Sequence, residues 1–107
     1  MEPEEKLRQL GITLVPPTPN NAPLVPSVRT GNLLYLSGNG PNRAGKSWAG
    51  KLGREYTTEQ GYEASRDCAI NLLSAAKGAL GDLARVKRVV KLLGMVNCTP
   101  EYTEQPK

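Results

Sequence analysis

Four groups of residues in this chain have types and spacings that chemistry could use. The first is Ser37-Gly38-Asn39, which closes the apolar run Leu33-Leu34-Tyr35-Leu36. A strand that ends in a small hydroxyl and glycine-exposed backbone can floor a small-molecule pocket. The same residues also suit a strand that leaves its sheet through an ordinary turn. The second is Gly40-Pro41-Asn42-Arg43-Ala44-Gly45-Lys46-Ser47, which fits the phosphate-loop spacing G-x-x-x-x-G-K-[ST] letter for letter. A phosphate loop works because its amides cradle the anion and a helix begins at once behind it. Here Gly50 and Gly53 come next, and they disfavour a helix, so the segment reads as a basic loop. The third is the pair Cys68 and Cys98. A nucleophilic thiol needs a neighbouring base, and the chain has no histidine to serve as one. The fourth is the basic run Arg85, Lys87, Arg88 and Lys91. It has no aromatic residue between its members for base stacking, so it reads as the solvated start of a strand.

The elements that must position these groups can be read from pattern and punctuation. With 107 residues the chain is expected to form one domain over 1–107. Phe is absent and aromatic residues make up only 5%, so the core has to be aliphatic. The spacing predicts a short helix over Pro3–Leu10, with Pro3 in its first turn, Glu4 and Glu5 at the dipole's positive end, and Gly11 as its stop. Five prolines between Ile12 and Pro26 keep that stretch extended. Leu24–Val28 is expected as an edge strand, paired through the Thr30-Gly31-Asn32 turn with Leu33–Leu36. Lys51-Leu52-Gly53 reads as a third short strand.

Thr57 followed three residues later by Gln60 fits a capping box, and the helix it opens is expected to run to Leu80, with Gly81 ending it. Its apolar stripe is read as Cys68, Ala69, Leu72, Leu73, Ala76 and Leu80, with Glu63, Arg66, Asp67 and Lys77 in water. Val86–Asn97 reads as a long central strand, apolar on both faces from Val89 onward. One helix covers one face of a sheet only, so the other face is expected to be buried against another subunit. Thr99-Pro100-Glu101 resembles a helix start, and only six residues come after it.

The totals narrow the function classes. A net charge of +4 is compatible with an anionic ligand or nucleic acid without selecting either. Two distant cysteines match no metal-ligand spacing and read as free thiols of a reducing, cytoplasmic setting; no metal is expected. No secretory leader and no membrane span are visible.

Taken together, Arg29-Thr30-Gly31-Asn32-Leu33-Leu34-Tyr35-Leu36-Ser37-Gly38 resembles the G-N-(apolar)-S-G signature of the YjgF/RidA family, also known as endoribonuclease L-PSP. Thr58-Glu59-Gln60-Gly61-Tyr62-Glu63-Ala64, Asn71-Leu72-Leu73, Gly81-Asp82-Leu83 and Val86-Lys87-Arg88-Val89-Val90 extend the resemblance over nearly the whole chain. It implies an α/β, chorismate-mutase-like fold: a mixed sheet with helices on one face, assembled as a homotrimer with clefts between subunits. It implies hydrolysis of enamines and imines such as 2-aminoacrylate to a keto acid and ammonia, with no cofactor and a small carboxylate as ligand. The alternatives are an RNA-binding or RNA-cleaving protein, which the absent histidines count against, and a scaffold without catalysis. The substrate-binding positions implied are Ser37, Gly38 and Asn39, together with Leu24, where the deaminase subgroup has a cleft-lining Tyr. The family's carboxylate-binding Arg and water-positioning Glu lie in a C-terminal portion, with a helix and two strands, that these 107 residues do not match; the chain is therefore read as C-terminally incomplete and inactive alone.

Overall fold

The structure, a computed structural model, describes residues 2–14, 25–42 and 48–107. In chain order it contains helix α1 (Pro3–Gln9), strands β1 (Ser27–Thr30) and β2 (Leu33–Leu36), the long helix α2 (Thr58–Leu80) and a single 3₁₀ turn at Leu83–Arg85. α1 starts with Pro3 in its first turn and is capped at Leu10, after which Gly11 takes a φ of 72°. β1 and β2 form an antiparallel hairpin in the register Ser27↔Leu36, Val28↔Tyr35, Arg29↔Leu34 and Thr30↔Leu33. Gly31-Asn32 is therefore the two-residue turn, and Gly31 supplies the positive φ of 56° that such a tight connection requires. The first strand is shifted from the expected Leu24–Val28. Pro26 has no N–H to give to a ladder, so regular pairing starts after it, while its carbonyl still accepts the Ser37 amide at 3.0 Å.

α2 is closed at both ends as the sequence demands. The Thr57 hydroxyl accepts the Gln60 amide at 3.2 Å, and the Gln60 side chain accepts the Thr57 amide at 2.9 Å. Gly81, at φ 83°, sends its amide back to Lys77 O. The helix lies against both strands of the hairpin and against the 3₁₀ turn.

Its buried face is rotated from the expected stripe. Asp67, Ile70, Ser74, Ala75 and Ala76 are buried, while Leu73 sits at the exposed edge of the helix. The reason is polar: Asp67, expected in water, instead accepts a hydrogen bond from the Trp48 indole, and Ser74 donates to Ile70 O inside the helix. The small Ala75 and Ala76 allow close approach, and Leu83, at 2% exposure, plugs the end of this core.

The largest departure is at Val86–Asn97, which forms no strand. Among the described residues it has no ladder partner; only the Leu52 amide reaches Asn97 O at 3.0 Å, and the Thr99 amide returns to Leu52 O at 3.1 Å. Leu52, expected in a third strand, makes only isolated parallel bridges, to Tyr56 and to Cys98. A strand exists by pairing, so an apolar period alone cannot make one. Val89, Val90, Leu92, Leu93 and Met95 are consequently exposed. Across the hairpin, Val28, Leu33 and Tyr35 are exposed too, while Leu34 and Leu36 are half-buried. Among the described residues α2 packs on the Leu34 and Leu36 face, while Val28, Leu33 and Tyr35 on the other face stay about half exposed. Thr99–Glu101 forms a turn, not a helix: the Tyr102 amide donates to Thr99 O at 3.2 Å.

Candidate functional site

Ser37, Gly38 and Asn39 stand together where β2 leaves the hairpin. The Ser37 amide extends the ladder by one bond, and its hydroxyl donates to Val25 O. With its proton spent on that carbonyl, the Ser37 oxygen can take a further hydrogen bond only as an acceptor. Gly38 is exposed, and a Cβ added there would meet nothing within 4 Å, so its backbone can be approached closely. The Asn39 side chain donates back to Ser37 O at 3.2 Å, which fixes the turn. The result is an acceptor hydroxyl beside an open amide donor, next to the half-exposed hairpin face. Leu24 lies outside the described residues, as do Arg43–Ser47 of the phosphate-loop spacing. Beyond Ser47, residues 48–57 form turns, with Gly50 and Gly53 at φ 152° and 88°, and no helix begins there to point its positive end at a phosphate.

Two polar residues of α2, one turn apart, hold both feet of the loop that joins β2 to the Leu52 region. Asn71 donates from Nδ2 to Gly40 O and to Asn42 O, both at 3.0 Å. Asp67 accepts from Trp48 Nε1 at 3.3 Å. The feet are also joined to each other, since the Trp48 amide donates to Asn42 Oδ1 at 3.1 Å. The spacing of Asp67 and Asn71 places them on one helix face, but only tertiary packing shows which loop they grip.

A groove of about 550 Å³ has Trp48 in its lining. Trp48 and Tyr56 meet edge to face at 5.3 Å in its wall, and Thr58, Tyr62, Asn97 and Tyr102 contribute to its lining. Ser37, Gly38 and Asn39 do not line it. Thr58 has one hydroxyl proton and gives it to Glu104 Oε2 at 2.8 Å, so the Tyr102 hydroxyl, 2.7 Å away, donates to Thr58. Lys107 and then Thr58 hold the Glu104 carboxyl below its usual range, which makes it a poor base. These contacts tie residues 102–107 to the start of α2.

The remaining candidates are structural. Cys68 is half-buried, and burial followed by the neighbouring Asp67 pushes its thiol up, away from a reactive thiolate. Cys98 is also a free, half-buried thiol and accepts from Gln105 at 3.5 Å. Arg85 donates to Leu80 O at 2.8 Å, closing the C-terminal end of α2, while Lys87, Arg88 and Lys91 are solvent-exposed. Among the described residues no group of three His, Cys, Asp or Glu side chains is placed to hold a metal ion, and no helix is long and apolar enough to cross a membrane.

Comparison with known proteins bears on what such a site does. The profile of the family described as "YjgF/chorismate mutase-like, putative endoribonuclease" matches residues 9–107. Protein TCP17 of Trypanosoma cruzi is 43% identical over 100 residues, which are 92% of this chain and 62% of that protein. The crystal structure of Atu1372 from Agrobacterium tumefaciens, a protein of unknown function, superposes with a TM-score of 0.85 at 41% identity, over 96% of this chain and 64% of its own. A protein of Shewanella oneidensis MR-1, described as a "putative endoribonuclease", superposes with a TM-score of 0.76 at 32% identity, over 83% of this chain and 60% of its own. The chain therefore spans less than two thirds of the length of each of these relatives.

Proposed function

The chain belongs to the YjgF/chorismate-mutase-like family, and on that footing we propose that it supplies one wall of a small-carboxylate site in an enamine/imine deaminase. The wall is Ser37-Gly38-Asn39, the site is a cleft between the subunits of a homotrimer, and the resemblance assigns Leu24 to the same cleft. The observation that carries this reading is the pairing of an acceptor hydroxyl with an open amide at the end of β2, beside a half-exposed hairpin face. In the reaction, water adds to the imine carbon, the C–N bond breaks, and ammonia leaves a keto acid. Ser37 would accept from the substrate's nitrogen-bound proton, and the Gly38 amide would donate to an oxygen. No position in residues 1–107 matches the family's carboxylate-binding Arg or its water-positioning Glu, so the 107-residue chain by itself is inactive on this reading. Two free cysteines fit a reducing, cytoplasmic setting.

The test is a threonine-dehydratase-coupled assay on the native gene product. We expect faster ammonia release than background. Ser37→Ala, which removes one hydrogen bond worth about 0.5–1.5 kcal/mol, should slow it by about two- to tenfold. No acceleration by the native product, or an unchanged Ser37→Ala variant, would refute the assignment. RNA cleavage is the second reading, supported by the description of the Shewanella relative and by the net charge of +4. Incubation of the same preparations with RNA separates the two, and we expect the RNA to stay intact.

A further inference from the structure

α1 is attached to the rest of the molecule in an unusual way. It has seven residues and buries none of them. A helix of that length does not persist in water on its own, so tertiary contacts must hold it. Apart from Gln9 it also lies outside the residues that the family profile matches. Among the described residues its polar anchor is Glu4. Glu4 Oε1 accepts from Lys77 Nζ near the end of α2, and Glu4 Oε2 accepts the Leu83 amide at 3.4 Å. The Asp82 carboxyl also faces Glu4. Leu7, one turn on, is half-buried and lines a cavity of about 350 Å³ with Ile12, Leu14 and the Lys77 side chain. Leu83, at 2% exposure among the most buried residues described, lies where α1 meets the 3₁₀ turn.

From this we infer that Lys77 and the Leu83 amide form a carboxylate-receiving site that Glu4 fills in cis, making α1 a detachable strap over the end of the core. An ammonium and a backbone N–H converging on one carboxylate make a directional clasp. The clasp is only partly shielded, with Glu4 and Lys77 side chains 33% and 42% exposed, so solvent and salt screen it and it opens readily. Gly11, in a conformation that costs glycine little and with open space around it, lets the strap swing. Opening bares Leu83 and takes apart the 350 Å³ cavity, which α1 itself lines through Leu7, while α2 and the hairpin stay folded.

Hydrogen exchange of single amides in the native gene product tests this. In Glu4→Ala we expect the Leu83 amide to exchange about tenfold faster, while Ala75, buried in the C-terminal third of α2, keeps its wild-type rate. Lys77→Ala should loosen α1 similarly, as should raising the salt to molar concentration. The swapped double variant Glu4→Lys/Lys77→Glu should restore slow exchange across α1 but leave Leu83 fast, because a lysine at position 4 cannot accept its N–H. Unchanged Leu83 exchange in Glu4→Ala would overturn the inference. So would an equal acceleration at Ala75, which would mean global unfolding, or a swap that fails to rescue α1.

Discussion

Replacing Leu92 and Leu93 by serine asks whether the bare surface is meant to be bare. In the isolated chain Val90, Leu92, Leu93 and Met95 are 75%, 76%, 80% and 89% exposed. Fully burying a side chain of this kind contributes about 1.5–3 kcal/mol, so covering roughly four fifths of each gains about 1.2–2.4 kcal/mol per residue. Four such residues amount to about 5–10 kcal/mol, comparable to the whole net stability of a small domain at about 5–15 kcal/mol. Val28, Leu33 and Tyr35 on the open hairpin face add to that total. We therefore expect the native gene product to cover this surface by assembling as a trimer, and the 107-residue chain alone to associate non-specifically or fold poorly. Removing two leucines should hardly affect an isolated chain in which they already face water. In the assembled protein it should cost about 2–5 kcal/mol and shift sedimentation toward smaller species. Sedimentation velocity with circular dichroism on both proteins reads this directly. If the 107-residue chain is a compact monomer with a sharp melt, or if Leu92→Ser/Leu93→Ser leaves the assembly of the native product unchanged, the reasoning fails.

Three further expectations concern the helix and the titrating groups. Thr57→Ala removes one half of the capping box and should cost about 1 kcal/mol, lowering the thermal midpoint of the native product by about 4–8 °C if it behaves as a domain of this size. Burial, and then Asp67, raises the Cys68 thiol, so its neutral form stabilises the folded state at pH values below the thiol's unfolded pKa, and that contribution is lost as pH rises through the folded one. Iodoacetamide labelling of Cys68 should therefore begin at higher pH than labelling of a free thiol. The carboxyls go the other way. The Arg54 contact lowers Glu55, the Ala84 amide lowers Asp82, and Lys107 lowers Glu104. Their contribution, present above the ordinary carboxylate range, should disappear as pH falls through and below about 4, and a pH series of melts will show it.

Local chemistry was legible in the sequence wherever the cause lies within a few residues. Thr57 and Gln60 announce the start of α2 because both halves of the capping box are three residues apart, and Gly81 announces its end because few other residues take a φ of 83° without strain. Gly31-Asn32 likewise marks the hairpin turn, and Gly50 with Gly53 rules against a phosphate-binding helix after Ser47. The family signature ending in Ser37-Gly38 belongs to the same class. Tertiary structure alone decided which face of α2 is buried, because the partner of Asp67 is an indole nineteen residues away and the partners of Asn71 are carbonyls about thirty residues away. It also decided that Val86–Asn97 is not a strand here, since an apolar period states what a segment can bury and pairing needs a second backbone beside it. Glu4 belongs with these long-range cases: its sequence position reads as a favourable charge at a helix start, and only the fold brings Lys77 and the Leu83 amide to it from more than seventy residues away.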